Sequence, residues 1–337
     1  MSAISRRQLL ISSAAAAVLL PLAVRRYLVS LTPQTTANTD GKPVVWQGIA
    51  LGSGAEIRIY HTDRAFAESV IQKALTETAR LEKIFSLYDE NSVLSRLNRE
   101  GRLKQPTADL LAVLGMSRDI YRLTGGAFDP TIQPLWNTYA GYFRRHPNAN
   151  TPPPQRDINK ALALVGLDKM QFDSSGIAFA EKGMGLSLNG IAQGYITDKV
   201  VELLQRHGIT QALVDMGEIR GLSANGQKTW QVGIKNPQDE SQVLLSVPLQ
   251  NEGFATSGGY GTVFNEQGTF THLFDPRTGG AQPRYRSISV MAANAATADA
   301  LATAFAIMPE TAVRQAARSV GAKVWLVMSD GRINNLE

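Results

Sequence analysis

The 337-residue chain contains no cysteine. That excludes disulfides, a thiolate nucleophile, cysteine-ligated zinc and a lipid anchor on an N-terminal cysteine. Histidine is scarce as well, with four in the whole chain, so a histidine in a chemically dense stretch stands out. The body also lacks an excess of either charge. The net charge is +5, but Arg6, Arg7, Arg25 and Arg26 lie in an opening stretch of 39 residues without one acid, and without those four the remainder carries +1. A near-neutral body gives no footing for a nucleic-acid partner. Internal repeats and low-complexity tracts are missing from that body.

Long apolar runs are missing too, with one exception near the start. Ser5-Arg6-Arg7-Gln8-Leu9-Leu10 sets an arginine pair directly before an alanine- and leucine-rich run over 9–24, broken by Pro21. The run is short for a membrane span. It resembles a twin-arginine export signal, the address of proteins that cross the membrane folded. An uncleaved N-terminal anchor closed by Arg25-Arg26 is the other reading. Residues 1–30 are therefore assigned to a signal or anchor, 31–42 to a polar linker and 43–337 to one domain, with a periplasmic location expected.

Within that domain, 44–49 and 56–61 read as strands around a Gly52-Ser53-Gly54 turn. Asp63 offers an N-cap to a long helix whose apolar residues, from Val70 to Tyr88, keep a helical period. A second helix is expected over 107–123, stopped by Gly125-Gly126, and a proline-rich loop over 147–155. Short strands follow at 169–173 and 176–181, a helix at 190–206 and a buried strand at 212–216. Short strands and turns fill the chain to 289. Helices at 295–308 and 311–319 and a last strand at 323–328 complete it. Helices and strands do not alternate regularly, so the fold class expected is α+β, with mainly antiparallel sheets and packed helices.

Four segments are hard to explain as packing alone. Thr124-Gly125-Gly126-Ala127-Phe128-Asp129-Pro130-Thr131 joins a helix stop to two glycines, an aromatic and an acid. Leu186-Ser187-Leu188-Asn189-Gly190-Ile191-Ala192-Gln193-Gly194-Tyr195 places glycines at a helix start, where free N–H groups favour a phosphate and where close helix packing is an equal explanation. Thr271-His272-Leu273-Phe274-Asp275-Pro276-Arg277-Thr278-Gly279 surrounds a rare histidine with an acid, a cation and a hydroxyl. In Ala298-Asp299-Ala300-Leu301-Ala302-Thr303, the i,i+4 spacing sets both oxygens on one face of an apolar helix. A buried carboxylate there needs either backbone donors or a hard cation such as Mg²⁺.

Together with Leu51-Gly52-Ser53 and the stretches 85–88, 92–98 and 255–258, these runs stand in the order found in ApbE proteins, and the chain resembles that family from about 45 to 330. The family consists of FAD:protein FMN transferases of T-fold-like architecture. The resemblance implies Mg²⁺-dependent transfer of FMN from FAD, the substrate, to a Ser or Thr hydroxyl of a partner flavoprotein, with release of AMP. It implies an FAD site formed by Leu51, Tyr88, Ala127, Phe128, Asp129, Ser187, Gln193, His272 and Leu273. It implies Mg²⁺ on Asp299, Thr303 and a backbone carbonyl near Gly190, and His272 as the catalytic histidine with Asp275 orienting it or its strand. Combined with the export address, it is similar to the branch containing NosX-like accessory proteins, whose acceptors are respiratory membrane proteins facing the periplasm.

The chain departs from the family at informative places. Ser187 stands for an acid, Asn189 for a glycine and Gln193 for a lysine, and Val214-Asp215-Met216-Gly217-Glu218 replaces an Asn-x-Gly-Gly-Asp pattern. Two alternatives stand beside transfer: an exported FAD- or FMN-holding module without transfer, which the exchanges at Ser187 and Gln193 favour, and a pyrophosphatase that splits FAD into FMN and AMP with water in place of the partner hydroxyl.

Overall fold

The computed structural model describes residues 42–336, so the signal, the anchor alternative and the linker up to residue 41 lie outside the described residues. Among the described residues, thirteen strands and eight α-helices follow one another from residue 44 to residue 336. Strand β1 (Val44–Ala50) and β2 (Ser53–Ile59) form a hairpin before helix α1 (Arg64–Phe85). Helix α2 (Val93–Glu100), strand β3 (Arg102–Lys104) and helices α3 (Ala108–Leu123), α4 (Gln133–Arg145) and α5 (Gln155–Leu162) come next. Strands β4 (Met170–Phe172) and β5 (Gly176–Phe179) precede α6 (Ala192–Arg206), β6 (Gln211–Asp215) and β7 (Ile219–Ser223). The chain continues through β8 (Trp230–Asn236), β9 (Asp239–Leu249), β10 (Gly253–Gly258) and β11 (Ser287–Ala292). It closes with α7 (Ala295–Phe305), α8 (Glu310–Ser319), β12 (Lys323–Val327) and β13 (Ile333–Leu336).

Eight strands make one antiparallel sheet in the order β1-β2-β6-β7-β10-β11-β12-β13, joined by a three-stranded sheet β3-β5-β4 and the β8-β9 hairpin. This is the α+β arrangement expected from the sequence. One face of the large sheet carries the helices. Alternate residues Ile57, Ile59, Ala212 and Val214 face α1 and α6, while Leu213, Phe254, Met291 and Trp325 face the β8-β9 hairpin on the other side.

Helix α7 runs through the middle of the molecule, packed on α6, β10 and β11. Its entry is fixed by two close approaches. A β-carbon on Gly194 of α6 would stand 2.3 Å from the Ala295 carbonyl oxygen, and one on Gly253 of β10 would stand 2.2 Å from the Ala295 nitrogen. Only glycine fits at either place, and the alanines of α7 let neighbouring backbones come equally near. The buried carboxylate of Asp198 finishes the entry, accepting from the N–H groups of Ala295 and Ala296, both at 2.9 Å, while pairing with Arg220.

Several elements differ from the sequence expectation. The β1-β2 turn is Leu51-Gly52, one residue early, because both residues take positive φ (55° and 75°) and leave Ala50 opposite Ser53. Leu51 is an unusual residue there, and its N–H is held by Glu82 Oε1 at 2.6 Å. Helices α2 and α4 and strand β13 are additions, and α5 starts at the end of the proline-rich stretch, with Pro154 at its N-cap. Helix α4 has no side-chain cap, since its entry is Ile132, and its start is marked by Pro134 in the first turn. Helix α7 ends at Phe305 rather than 308, and α6 starts at Ala192 rather than Gly190.

Candidate active site

A cleft of about 250 Å³ opens where five chain segments meet. The turn after α3 supplies Ala127, Phe128 and Asp129, and the segment before α6 with the first turn of that helix supplies Ser187, Gly190 and Gln193. The β6-β7 turn gives Glu218, the long β10-β11 connection gives His272 and Leu273, and α7 gives Asp299 and Thr303. Ten of the residues singled out in the sequence thus come together, though they span 127 to 303 in the chain. The enclosed space is smaller than a dinucleotide, so a ligand of that size would extend over the open rim.

The floor is acidic. Asp299 is buried, and its carboxylate accepts the Gly194 N–H at 3.2 Å. Burial pushes its pKa up, the Gly194 donor opposes that, and Asp198 adds to it. Glu218 is buried beside it, and burial together with the charges of Asp299 and Asp215 holds its carboxyl well above the ordinary range, against one backbone donor from Thr256. Asp215 is pushed up to about 6, mainly by burial. Neither Asp299 nor Glu218 has a basic partner among the described residues. Two desolvated carboxylates without a counter-charge favour either a shared proton or a cation.

Thr303 lies one turn after Asp299 on the same face of α7. The Gly190 backbone abuts it so closely that a β-carbon there would stand 2.7 Å from Thr303 Oγ1. Among the described residues no three His, Cys, Asp or Glu side chains cluster for a metal. A cation here would draw on carboxylates, a hydroxyl and backbone oxygen, an all-oxygen set that suits a hard divalent ion and not zinc. The residues present fit Mg²⁺.

His272 lines the same cleft from the β10-β11 connection. Its Nδ1 lies 3.1 Å from the Thr262 carbonyl oxygen, so the ring donates there and leaves the Nε2 lone pair free, about 3.9 Å from where a β-carbon of Gly261 would sit. Burial lowers its pKa, with the Thr262 bond opposing in part, so the ring is neutral near pH 7. A neutral imidazole with a free Nε2 at a cleft wall can accept a proton.

Five sequence assignments change in detail. Asp275 does not orient His272. Its carboxylate is taken by Arg277 in a two-point pair at 2.8 Å for each contact, and it also accepts the Arg277 N–H, so it shapes the 275–279 turn. Asp129 lines the cleft, but its carboxylate turns inward to Thr131 Oγ1 at 2.6 Å and to the Thr131 and Leu167 N–H groups. Gly194 does not offer a free N–H to a phosphate, because Asp299 takes it, and the Ala192 N–H is spent on Leu188. Leu51 and Tyr88 stand outside the cleft lining. Leu51 packs between two core clusters in its hairpin turn, and Tyr88 is 85% exposed.

Gln193 reaches from α6 toward the β6-β7 turn, its Nε2 2.8 Å from where a β-carbon of Gly217 would sit, with Ser53 Oγ also nearby. Ser187 is half-buried, and its N–H is fixed to the Pro130 carbonyl at 2.7 Å. The sequence reading gave no role to Glu218 or Asn98. Glu218 appeared there only as a departure from a pattern. Asn98 accepts the Leu186 N–H at 2.7 Å and donates to the Leu186 carbonyl at 2.8 Å, clamping the segment that leads to Ser187.

The match to the ApbE family spans residues 51–326. The FAD:protein FMN transferase of Haemophilus influenzae is 31% identical over 256 residues, covering 72% of this chain and 73% of the relative. That of Klebsiella pneumoniae (strain 342) is 28% identical over 314 residues, covering 89% and 87%. Among solved structures, the ApbE protein of Thermotoga maritima superposes with a TM-score of 0.77 at 25% identity, over 88% of this chain and 97% of that one. The flavin transferase ApbE of Vibrio cholerae gives 0.72 at 24% identity, over 87% and 96%.

Proposed function

This chain belongs to the ApbE family, and on that premise we propose that it transfers the FMN half of FAD to a serine or threonine hydroxyl of a partner flavoprotein, releasing AMP. The observation that carries the reading is the pairing of functions across one cleft. A neutral histidine with a free Nε2 lines the same cleft as two buried carboxylates that have no basic partner among the described residues.

In this reading His272 Nε2 takes the proton of the incoming hydroxyl. The hydroxyl oxygen then bonds to the phosphorus on the FMN side, the bond from that phosphorus to the bridging oxygen breaks, and AMP leaves with the bridging oxygen. The Thr262 carbonyl fixes the imidazole tautomer, so the proton is accepted at Nε2 and not at Nδ1. Asp299 and Thr303, with backbone oxygen near Gly190, would hold Mg²⁺, and Glu218 adds negative charge beside them. Bound there, the ion would offset the charge of the pyrophosphate. Gln193 and Ser187 would contact FAD without charge.

The Arg6-Arg7 address supports export by the twin-arginine route, with or without removal of the signal. The acceptor would then be a respiratory membrane flavoprotein facing the periplasm, of the kind served by the NosX-like branch. Among the described residues no helix is long and apolar enough to cross a membrane.

Intact-mass analysis of a candidate flavoprotein fragment, after incubation with this protein, FAD and Mg²⁺, tests the proposal. A gain of one FMN unit that a chelator abolishes supports it. Free FMN and AMP with an unmodified fragment would assign the chain to FAD hydrolysis. FAD bound and returned intact, over several acceptors, would make it a flavin-holding module.

A further inference from the structure

The catalytic cleft has a neighbour on the other side of α4. Trp136 and Ile132, at the start of this helix, line the catalytic cleft, whereas Asn137, Gly141 and Tyr142 face a second, wider cavity of about 630 Å³. Helix α5 closes its far side through Lys160 and Ala161. The two cavities also share a stretch of backbone, since Gly183 lines the second and Ser187 the first.

The second cavity is strongly basic. Arg144, Arg145 and Lys160 line it, all three are exposed, and none has an ion-pair or hydrogen-bond partner among the described residues. The carboxylate in the lining, Asp157, already faces Arg156 at 3.5 Å. Each of the three cations sits in the last turn of its helix, where the dipole favours it. That accounts for a cation at each helix end. It does not account for three converging on one cavity from two helices, where they repel one another in a body that is otherwise near neutral. Such a cavity attracts an anionic partner and holds it in register.

We propose that this cavity docks an acidic segment of the acceptor polypeptide, and so sets which hydroxyl enters the catalytic cleft. The inference rests on the transferase reading. Helix α4 supplies the ruler. Nine residues separate Trp136 from Arg145, which at 1.5 Å per helical residue is about 13–14 Å. An extended chain covers that span in about four residues. The acidic side chains recognised here therefore lie about four residues from the acceptor hydroxyl.

The test uses the full chain and two fluorescent peptides that share one threonine, with glutamates or glutamines four residues away on both sides. Binding is read by anisotropy without FAD, and transfer by intact mass. The glutamate peptide should bind about tenfold tighter at low salt, the sum of a few exposed ion pairs, and the preference should fade as salt rises. In the triple variant R144E/R145E/K160E, and in the milder R144Q/R145Q/K160Q, that preference should disappear. KM for the glutamate peptide should rise by a similar factor, while kcat and KM for FAD stay as in the wild type. Equal binding of both peptides by the wild type, or an unchanged KM in both variants, overturns the proposal. It is equally overturned if the variants lose only binding to vesicles of anionic phospholipid, which would assign the cavity to a membrane surface. Charge-dependent peptide binding without any transfer would leave the docking site standing and remove the transferase reading instead.

Discussion

Gly190 and Thr303 touch across the floor of the active-site cleft: a β-carbon on residue 190 would stand 2.7 Å from Oγ1 of Thr303 and 3.1 Å from its Cγ2. Thr303 follows Asp299 by one helical turn, so this contact seats the segment before α6 on the helix that carries the buried carboxylate. The candidate cation site is made by that seating, since its oxygens come from elements more than a hundred residues apart in sequence.

Gly190→Ala must therefore displace either the loop or the Thr303 hydroxyl. Overpacking of this kind costs about 1–3 kcal/mol. Thermal unfolding should register that loss, and calorimetry should show weaker Mg²⁺ binding. Thr303→Ser keeps the oxygen and removes the crowding methyl group, so it should bind Mg²⁺ nearly as the wild type does. A Gly190→Ala protein with unchanged Mg²⁺ affinity would detach this loop from the cation site.

Asp299→Asn separates a structural from a metal-binding role. The amide oxygen can still accept the Gly194 N–H, and the buried ion is gone. Without metal, this variant should be more stable than the wild type at neutral pH by about 1–2 kcal/mol, as when buried ions are replaced by neutral groups. Mg²⁺ should raise the melting temperature of the wild type and leave that of the variant unmoved. Equal stabilisation of both proteins by Mg²⁺ would place the cation elsewhere.

The pH dependence has a definite sign. Asp299 and Glu218 titrate above their ordinary values in the folded protein, so over that window the native state binds more protons than the unfolded chain. Their contribution to stability is complete below the ordinary carboxylate range near pH 4 and is lost as pH rises through the folded values. His272 acts oppositely, because its folded pKa is lowered, and it favours folding as pH rises toward 6.5. Comparing wild type with Asp299→Asn cancels the histidine. The stability advantage of the metal-free variant should grow from pH 5 to pH 8. Mg²⁺ binding to the wild type should strengthen over the same interval with release of protons. A difference that stays flat with pH would show Asp299 to be ionised throughout.

What the sequence made legible followed local periods and short motifs. Asp299 and Thr303 were readable as a pair because helical spacing puts i and i+4 on one face, and the glycine-rich runs marked where chain reverses at the cleft. Convergence was harder to read. Glu218 reaches the floor because β6 and β7 pair through Asp215 opposite Ile219, and no local pattern reports that register. Asp275 was misread for the opposite reason: three residues from His272, it looked like a partner, but Arg277 is nearer along the turn and captures both carboxylate oxygens. Helix α4 was hard to read because Ile132, at its entry, has no side-chain oxygen to cap it, although Pro134 in its first turn is itself a start signal.

His272→Ala should lower kcat by about 10²–10⁴, the range for loss of a general base, with little change in FAD binding. His272→Asn is the sharper variant, since its amide can still donate toward the Thr262 carbonyl but has no basic nitrogen at the Nε2 position. It should fold like the wild type and transfer as poorly as the alanine variant. In the wild type, the acidic limb of kcat/KM should fall below the ordinary imidazole value, as burial of the ring requires. Transfer by His272→Asn at the wild-type rate would remove the histidine from the chemistry.

Asp198 offers a test of how the site is held from behind. One of its oxygens accepts the Ala295 N–H and pairs with Arg220, and the other accepts the Ala296 N–H, so a single buried carboxylate fixes both a helix start and a cation. Asp299 lies one turn further along that helix, and Gly194 holds it from α6, the helix that also carries Asp198. Asp198→Ala leaves two N–H groups and a guanidinium without their acceptor, and breaking a buried pair costs about 3–5 kcal/mol. Asp198→Asn keeps one acceptor oxygen and should lose less. If α7 is a rigid carrier, the loss at its start should reach Asp299, and Mg²⁺ affinity should fall in the order wild type, Asn, Ala, together with melting temperature. Arg220→Met removes the cation alone and leaves the carboxylate capping α7, so it should cost stability with a smaller effect on Mg²⁺ binding. If Asp198→Asn is destabilised but binds Mg²⁺ as tightly as the wild type, the start of α7 and its catalytic turn move independently, and the cation site is held by the Gly190–Thr303 and Gly194–Asp299 contacts alone.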